Sequence, residues 1–151
     1  MLGKKIMVVE DEWIVADQIC KNLKNCGYLV SGPVSSGKEA LKKAEEEKPD
    51  LVIMDIVLQD EQDGIETAEK IAKMFDIPII YLTAHTNQTL VERAKMTKPY
   101  GYLVKPFSEE EMKSNIEIAL YKHGMEKEFR ERHENLEKNL RETIDAIVEM
   151  K

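Results

Sequence analysis

The sequence has 151 residues, a length that suits one domain or one domain with an appendage. Hydrophobic residues make up 42% and charged residues 34%, which is typical of a globular protein and excludes a disordered chain. The 22 Lys and Arg residues are outnumbered by 29 Asp and Glu, and the net charge of −7 argues against nucleic-acid binding through basic side chains. The apolar runs are far shorter than the roughly 20 residues of a membrane span, so we expect no membrane partner.

The cysteines and the amino terminus indicate a cytoplasmic protein. Cys20 and Cys26 lie six residues apart, which fits neither a C-x-x-C redox pair nor a metal-binding knuckle. The first six residues, Met-Leu-Gly-Lys-Lys-Ile, lack the longer apolar stretch and the cleavage site of a secretory signal. We therefore expect two free thiols in the cytoplasm.

Short apolar segments alternate with amphipathic patterns over most of the chain. The segments that predict strands are 5–10, 28–31, 51–54, 77–82 and 100–104. The predicted helices run from residue 14 to a stop at Gly27, and over 38–47, 64–75, 88–96 and 109–122. Ser108 and Glu111 have the spacing of a capping box at the start of the last of these helices. This alternation predicts an α/β fold, with a doubly wound five-stranded parallel sheet in the order 2-1-3-4-5.

Residues 124–151 differ in composition from the domain that we predict over residues 1–123. They are heavily charged, and beyond Gly124 they contain neither proline nor glycine. Alternating spacings of four and three form a heptad seam, which is imperfect at His133 and Thr143. We expect a C-terminal helical extension, either a coiled coil that dimerises, packs back or leads to a further domain, or a helix that simply extends into solvent. The seam consists of Phe129, His133, Leu136, Leu140, Thr143, Ile147 and Met150.

Polar side chains stand where the predicted strands end. They are Glu10 and Asp11 after the first strand, Asp55 after the third, Thr83 after the fourth and Lys105 after the fifth. A doubly wound sheet brings such ends together where the strand order reverses. Clustered carboxylates repel one another unless a cation offsets their charge, and a site of oxygen ligands suits Mg²⁺. A carboxylate beside Mg²⁺ and a lysine can act as a nucleophile in phosphoryl transfer, which needs mainly positioning and charge neutralisation.

At these positions the sequence resembles the receiver domains of the two-component response regulators. The resemblance extends from about Lys4 to Lys122, and its motifs are highly specific as a set, in this order and spacing. It implies the flavodoxin-like form of the predicted sheet. The matching segments are Val-Glu-Asp-Glu at 9–12, Pro-Asp-Leu-Val-Ile-Met-Asp at 49–55, Asp-Gly-Ile at 63–65, Leu-Thr-Ala at 82–84 and Gly-Tyr-Leu-Val-Lys-Pro-Phe at 101–107.

The resemblance implies a phosphoacceptor that is not an enzyme beyond promoting its own phosphotransfer and dephosphorylation. Asp55 would accept a phosphoryl group from the phosphohistidine of a histidine kinase or phosphotransfer protein, and Lys105 would contact the acyl phosphate. The implied cofactor is Mg²⁺, held by Asp11, Asp55 and the backbone carbonyl of Val57, with Glu10 contributing through water. The Lys105–Pro106 peptide bond would be cis.

The resemblance also implies a switch. Thr83 would follow the phosphoryl oxygen and Tyr102 would swing inward behind it. This movement would alter the face of the fourth helix, fifth strand and fifth helix, to which an output domain or partner protein would bind. Gln59 stands where many members have proline, so the loop after the acceptor departs from the family pattern. Val57 and His85 hold positions that tune dephosphorylation in the family, and the valine predicts slow hydrolysis because it offers water no side-chain hydrogen bond.

The sequence also contains features of two other interpretations. A P-loop nucleotidase would use Gly32–Lys38, which matches G-x-x-x-x-G-K. However, Glu39 replaces the Ser or Thr that would bind Mg²⁺, and Pro33 removes a backbone donor from the loop. A pseudo-receiver would keep the fold as a binding module without being phosphorylated. The complete acidic set, together with Thr83 and Lys105, argues against it.

Overall fold

Strands and helices alternate along the chain in the predicted order. The computed structural model describes residues 3–58, 64–84 and 88–150, with Gln88 by its backbone alone. The chain divides into two compact units, Met1–Leu120 and Tyr121–Lys151. The strands are β1 Lys5–Val9, β2 Leu29–Val34, β3 Leu51–Asp55, β4 Ile79–Ala84 and β5 Gly101–Lys105. The helices are α1 Trp13–Asn25, α2 Gly37–Glu47, α3 Gly64–Phe75, α4 Gln88–Met96 and α5 Glu109–Glu149.

The strands form a parallel sheet in the order β2-β1-β3-β4-β5, which confirms the predicted topology. β1 lies between β2 and β3, so the strand order reverses at β1 and β3. The register sets Val9 opposite Met54 and Asp55 opposite Leu82. The carboxyl ends of β1, β3, β4 and β5 therefore lie along one edge, where doubly wound sheets bind their ligands.

Helices cover both faces of the sheet because the buried strands are apolar on both sides. Along β1, Ile6 and Val8 belong to one apolar cluster, whereas Met7 and Val9 belong to the other. The first cluster includes side chains of α1 and of the amino-terminal part of α5, and the second includes side chains of α2, α3 and α4. Each buried aliphatic side chain contributes about 1.5–3 kcal/mol, so the two clusters hold the strand ends in place.

β2 is longer than the sequence predicts. We expected a strand over 28–31 that stops before Gly32, but β2 runs through this glycine to Val34. Gly32 has a φ of 96°, and a Cβ at this position would lie 3.0 Å from the carbonyl oxygen of Val8. The register of β1 and β2 shifts here, and pairing resumes with Val9 opposite Val34. Gly32 therefore lies at an irregularity within β2 and does not end the strand.

The segment that matches the P-loop pattern is divided between two elements. Gly32 to Val34 form the end of β2, and α2 begins at Gly37. Ser36 Oγ accepts a hydrogen bond from the Glu39 N–H at 3.2 Å, which is an ordinary N-cap. Residues 32–38 are thus a strand end and a helix start rather than a phosphate-binding loop.

α5 continues far beyond the end that we predicted near residue 122. It runs as one helix through Gly124 to Glu149, so the predicted helical extension is confirmed, and only the predicted helix end near residue 122 is wrong. A glycine inside a helix costs about 1 kcal/mol, which good helix formers on both sides offset. At the start of α5, Ser108 Oγ accepts a hydrogen bond from the Glu111 N–H at 3.1 Å, as the capping box predicts. Among the described helices, none combines the length and hydrophobicity that crossing a bilayer requires.

Gly64, the first residue of α3, provides a test of how closely this helix packs against the end of β3. A Cβ at this position would overlap the carbonyl oxygen of Asp55, and neither backbone can yield cheaply. We expect Gly64→Ala to lower the free energy of unfolding by about 1–3 kcal/mol, measured by denaturant titration. Gly124→Ala is the control, because its Cβ would meet no atom within 4 Å. Equal stability of the two variants would contradict the packing described here.

Candidate functional site

Three carboxylates meet at the carboxyl edge of the sheet. Asp55 is the last residue of β3, and Glu10 and Asp11 directly follow β1. One carboxylate oxygen from each of the three residues lies within 4.8 Å of the others. Glu10 and Asp55 are almost completely buried, with 2% and 6% of their surface exposed. The predicted acidic residues are therefore brought together in a place where water screens their charges poorly.

One ammonium group lies among these carboxylates. Lys105, at the end of β5, donates from Nζ to Glu10 Oε2 at 2.8 Å and to Asp55 Oδ2 at 3.1 Å. Its side chain reaches past the end of β4 and is 24% exposed. Charge-assisted hydrogen bonds of this kind are stronger than neutral ones. Lys105 therefore fixes the positions of both buried carboxylates but leaves the cluster with an excess of negative charge.

Backbone amides hold the other carboxylate oxygens. The N–H of Val57 donates to Asp55 Oδ1 at 2.9 Å, and the N–H of Glu12 donates to Glu10 Oε1 at 3.1 Å. Each donor lies two residues beyond its acceptor, which is the local turn that acidic side chains favour. These contacts set the orientation of both carboxylates and place Val57 beside Asp55 at the edge of the sheet.

The pKa values reflect this crowding. The pKa of Glu10 is raised to about 7, chiefly by burial and then by a hydrogen bond with Asp55, while the hydrogen bond from Lys105 opposes the rise. For Lys105, burial by itself lowers the pKa. The hydrogen bond to Glu10 and the charge of Asp55 outweigh this effect, so the pKa is raised overall. Lys105 is thus charged at neutral pH, whereas burial and the neighbouring Asp55 favour the protonated form of Glu10.

The donor set fits a hard divalent cation such as Mg²⁺. Glu10, Asp11 and Asp55 offer carboxylate oxygens that lie within 4.8 Å of one another, and these three carboxylates face the one ammonium group of Lys105. Mg²⁺ prefers oxygen ligands and keeps part of its water shell, so a few protein ligands suffice. These residues could therefore hold the ion that the sequence analysis predicts.

Thr83 and Tyr102 line a second feature, a cavity of about 410 Å³ between β4, β5 and α4. Thr83 is 4% exposed, and its Oγ1 donates to the Ala84 carbonyl oxygen at 3.2 Å. Tyr102 is half-buried, and burial raises the pKa of its phenol. Glu92 and Lys95 of α4 line the same cavity. The two residues predicted to form the switch are therefore neighbours of one opening on the α4 side of the sheet.

Two further expectations concern loops at this edge. The Lys105–Pro106 peptide bond is cis, which confirms what the resemblance implies. His85 and Gln59 lie outside the described residues, so the expectations about them stay predictions.

A family model matches most of the first compact unit. It is the model of the response regulator receiver domain, and it matches residues 6–117. The chain belongs to the response regulator receiver domain family. The family that the sequence resembles is thereby confirmed, and this receiver domain is part of a two-component response regulator.

Two curated regulatory proteins are similar in sequence to this receiver. The receiver is similar to the transcriptional regulatory protein PdtaR of Mycobacterium tuberculosis, with 39% identity over 117 residues, which are 78% of this chain and 57% of PdtaR. It is also similar to PhoP, the alkaline phosphatase synthesis transcriptional regulatory protein of Bacillus subtilis, with 37% identity over 120 residues, or 79% of this chain and 49% of PhoP. The chain thus spans about half the length of these curated relatives.

A solved structure has the same fold over the receiver. The signal receiver domain of a modulated diguanylate cyclase from Desulfovibrio desulfuricans G20 superposes with a TM-score of 0.78 and 34% identity. The match covers 82% of this chain and 98% of that one.

Tyr81 and Thr97 lie next to the predicted switch residue Tyr102, and no signal in the sequence singles them out. Tyr81, in β4, is 1% exposed, and its ring centroid lies 6.2 Å from that of Tyr102. Its hydroxyl lies 3.0 Å from Thr97 Oγ1, just beyond the end of α4. Thr97 Oγ1 in turn donates to the Ala94 carbonyl oxygen at 2.7 Å. A tyrosine in an apolar strand predicts only core packing, so the sequence does not indicate this hydrogen bond. The partner of the hydroxyl group, Thr97, lies 16 residues away in sequence.

The raised pKa of Glu10 predicts that Mg²⁺ affinity depends on pH. Binding favours the ionised carboxylate, and the pKa of about 7 leaves Glu10 mainly protonated at pH 6 and mainly ionised at pH 8. We expect the affinity to rise up to about tenfold between pH 6 and pH 8, since one proton is released. Calorimetric titration with MgCl₂ measures this change.

Glu10→Gln is the control for this titration. The variant should bind Mg²⁺ more weakly and with a flatter pH profile, because no proton leaves position 10. A pH-independent affinity in the unaltered protein, or an equal slope in both proteins, would refute the assignment.

Proposed function

We propose that Asp55 of this receiver accepts a phosphoryl group from the phosphohistidine of a histidine kinase or phosphotransfer protein. The observation that supports this most strongly is the shared hydrogen bonding of Lys105 Nζ to Glu10 and Asp55. A buried carboxylate that is held by an ammonium and by the Val57 amide is oriented and close to positive charge. Those are the two requirements of phosphoryl transfer.

In the proposed reaction a carboxylate oxygen of Asp55 attacks the phosphorus atom while the bond to the histidine nitrogen breaks. The nitrogen keeps the electron pair of that bond, and the released imidazole takes up a proton from solvent. Lys105 stabilises the charge on the phosphoryl oxygens during transfer and then contacts the acyl phosphate. Mg²⁺, when bound, would supply further positive charge to the same oxygens. Its ligands would be Asp11, Asp55 and the Val57 carbonyl, with Glu10 acting through water.

The phosphoryl group would then change the surface next to the cavity. Thr83 would turn its hydroxyl from the Ala84 carbonyl towards a phosphoryl oxygen, and Tyr102 would move inward into the space that Thr83 leaves. Their common place on the cavity beside α4 supports this coupling. The surface formed by α4, β5 and the receiver part of α5 would then bind an output domain or a partner protein.

The remaining assignments concern the whole protein. PdtaR and PhoP are transcriptional regulatory proteins, and this chain spans about half of each. The output that this receiver controls is therefore not assigned from these relatives. We place the receiver at residues 1–123 and the helical extension at 124–151. The extension would link the receiver to an output domain or associate with a second copy as a coiled coil. We assign the protein to the cytoplasm, with no nucleic-acid or membrane partner for the receiver itself.

Phosphorylation by a small donor tests the proposed acceptor. Incubation with acetyl phosphate and Mg²⁺ should add one phosphoryl group to the intact protein, detected by mass spectrometry. The addition should be absent from Asp55→Asn and after chelation of Mg²⁺. Asp17→Asn is the matched control, because Asp17 is an exposed carboxylate of α1 that pairs with Lys21. Equal phosphorylation of Asp55→Asn would overturn the assignment, and no phosphorylation at all would favour a pseudo-receiver.

Val57 is expected to make the acyl phosphate long-lived. Its side chain is 46% exposed beside the acceptor and offers an attacking water no hydrogen bond. Val57→Asn should therefore speed hydrolysis by about fivefold, the effect of one hydrogen bond of about 1 kcal/mol. Release of phosphate from purified phosphoprotein measures the rate, with Val57→Leu as an apolar control. An unchanged rate in Val57→Asn would exclude this role.

A further inference from the structure

The described part of the second unit, residues 121–150, exposes its large apolar side chains. Each is between half and nearly nine-tenths exposed, which is unusual for so many residues on a single helix. Apolar surface of this extent marks a contact with another molecule. The residues are Tyr121, Met125, Phe129, Leu136, Leu140, Ile144, Ile147, Val148 and Met150.

Most of these side chains lie on one line of the helix. The structure shows continuous helix through this stretch to Glu149, so the heptad spacing seen in the sequence applies without interruption. Five of the seven seam residues are apolar, and Ile144 flanks the seam at an e position. Val148 lies outside the seam, at a b position. The a positions are His133, Leu140 and Ile147, and the d positions are Phe129, Leu136, Thr143 and Met150.

The charges beside the seam favour one arrangement of two helices. In a parallel, in-register pair, each g residue faces the e residue five positions later on the other helix. Arg132 is at g and Glu137 at e, so each Arg132 would meet Glu137 of the second copy, twice per dimer. An antiparallel pair that sets Leu136 against Leu140 would instead bring the two Glu137 side chains together. The parallel pair has complementary charges where the antiparallel pair has like charges.

We propose that two copies of this chain associate through residues 129–150 as a parallel, in-register coiled coil. The proposal rests on the proposed role of the helical extension and names its partner as a second copy. Within their own helix, Arg132 forms an ion pair with Glu128, and Glu137 Oε1 lies 3.1 Å from His133 Nε2. Their charged groups therefore stand on the surface beside the seam, within reach of a second helix. His133 and Thr143 place polar layers in the seam, so the dimer dissociates on dilution.

Sedimentation equilibrium of the full chain over a range of concentrations tests the association. The average mass should rise from one copy to two and no further. Leu140→Glu should raise the dissociation constant about a hundredfold or more, because it buries two unpaired carboxylates in the seam. Val148→Glu is the matched control and should change it less than about threefold, since the new charge stays exposed. One copy at every concentration, three or more copies, or equal effects of the two variants would overturn the proposal.

A charge exchange tests the orientation. Arg132→Glu alone and Glu137→Arg alone each place like charges opposite one another twice in a parallel dimer, so both homodimers should be weakened. A mixture of the two variants should restore complementary pairs and form heterodimers well above the statistical share of about one half. Native mass spectrometry counts the three species. A statistical mixture, or homodimers of either variant as tight as the unaltered dimer, would refute the parallel register.

The same variants separate this proposal from the function of the receiver. Leu140→Glu lies outside the acidic site and should take up phosphate from acetyl phosphate at the rate of the unaltered protein. If Leu140→Glu and the unaltered protein both dimerise equally while phosphorylation proceeds, the coiled coil alone is refuted. If neither is phosphorylated while the dimer forms and responds to the charge exchange, only the phosphoacceptor role is refuted.

Discussion

The bridge that Lys105 makes between two buried carboxylates is the contact on which the site depends. Its ammonium lies 2.8 Å from Glu10 and 3.1 Å from Asp55, where water is largely excluded. Two like charges about 4 Å apart repel by about 4 kcal/mol at the effective dielectric constant of a protein surface. The hydrogen bond from Lys105 lowers the pKa of Glu10, so without the ammonium a proton on Glu10 would have to offset this repulsion. The bridge also links the end of β5 to the ends of these two strands across β4, so the proposed phosphorylation of Asp55 would affect all three strand ends.

The strand β5 carries a residue of the acidic site and a residue of the proposed switch, and its neighbour β4 carries the other switch residue. β5 contains both Lys105 and Tyr102, and β4 contains both Thr83 and Tyr81. Tyr81 approaches Tyr102 with its ring and Thr97 with its hydroxyl, so it connects β5 with the end of α4. Packed side chains therefore connect Tyr102 of β5, through Tyr81 of β4, with the end of α4.

The acidic edge could be predicted because it follows from topology. In a parallel sheet with the order 2-1-3-4-5, residues at the carboxyl ends of β1, β3 and β5 must lie along one edge. Glu10, Asp55 and Lys105 stand at these ends, and the structure brings them into contact. The extent of β2 could not be predicted in this way. Gly32 and Pro33 are local signals for a turn, but pairing with β1 extends the strand through them to Val34.

The amino-acid sequence by itself determined the order of the elements, the two-sided apolar core and the identity of the residues at the strand ends. These features depend on hydrophobic periodicity and chain order, which are local properties. Only the tertiary structure decided which oxygen of each carboxylate meets Lys105, how burial raises the pKa of Glu10, and that Tyr81 is bound to Thr97. These features depend on the distances between residues far apart in sequence, and such distances exist only after the strands have paired and the helices have packed.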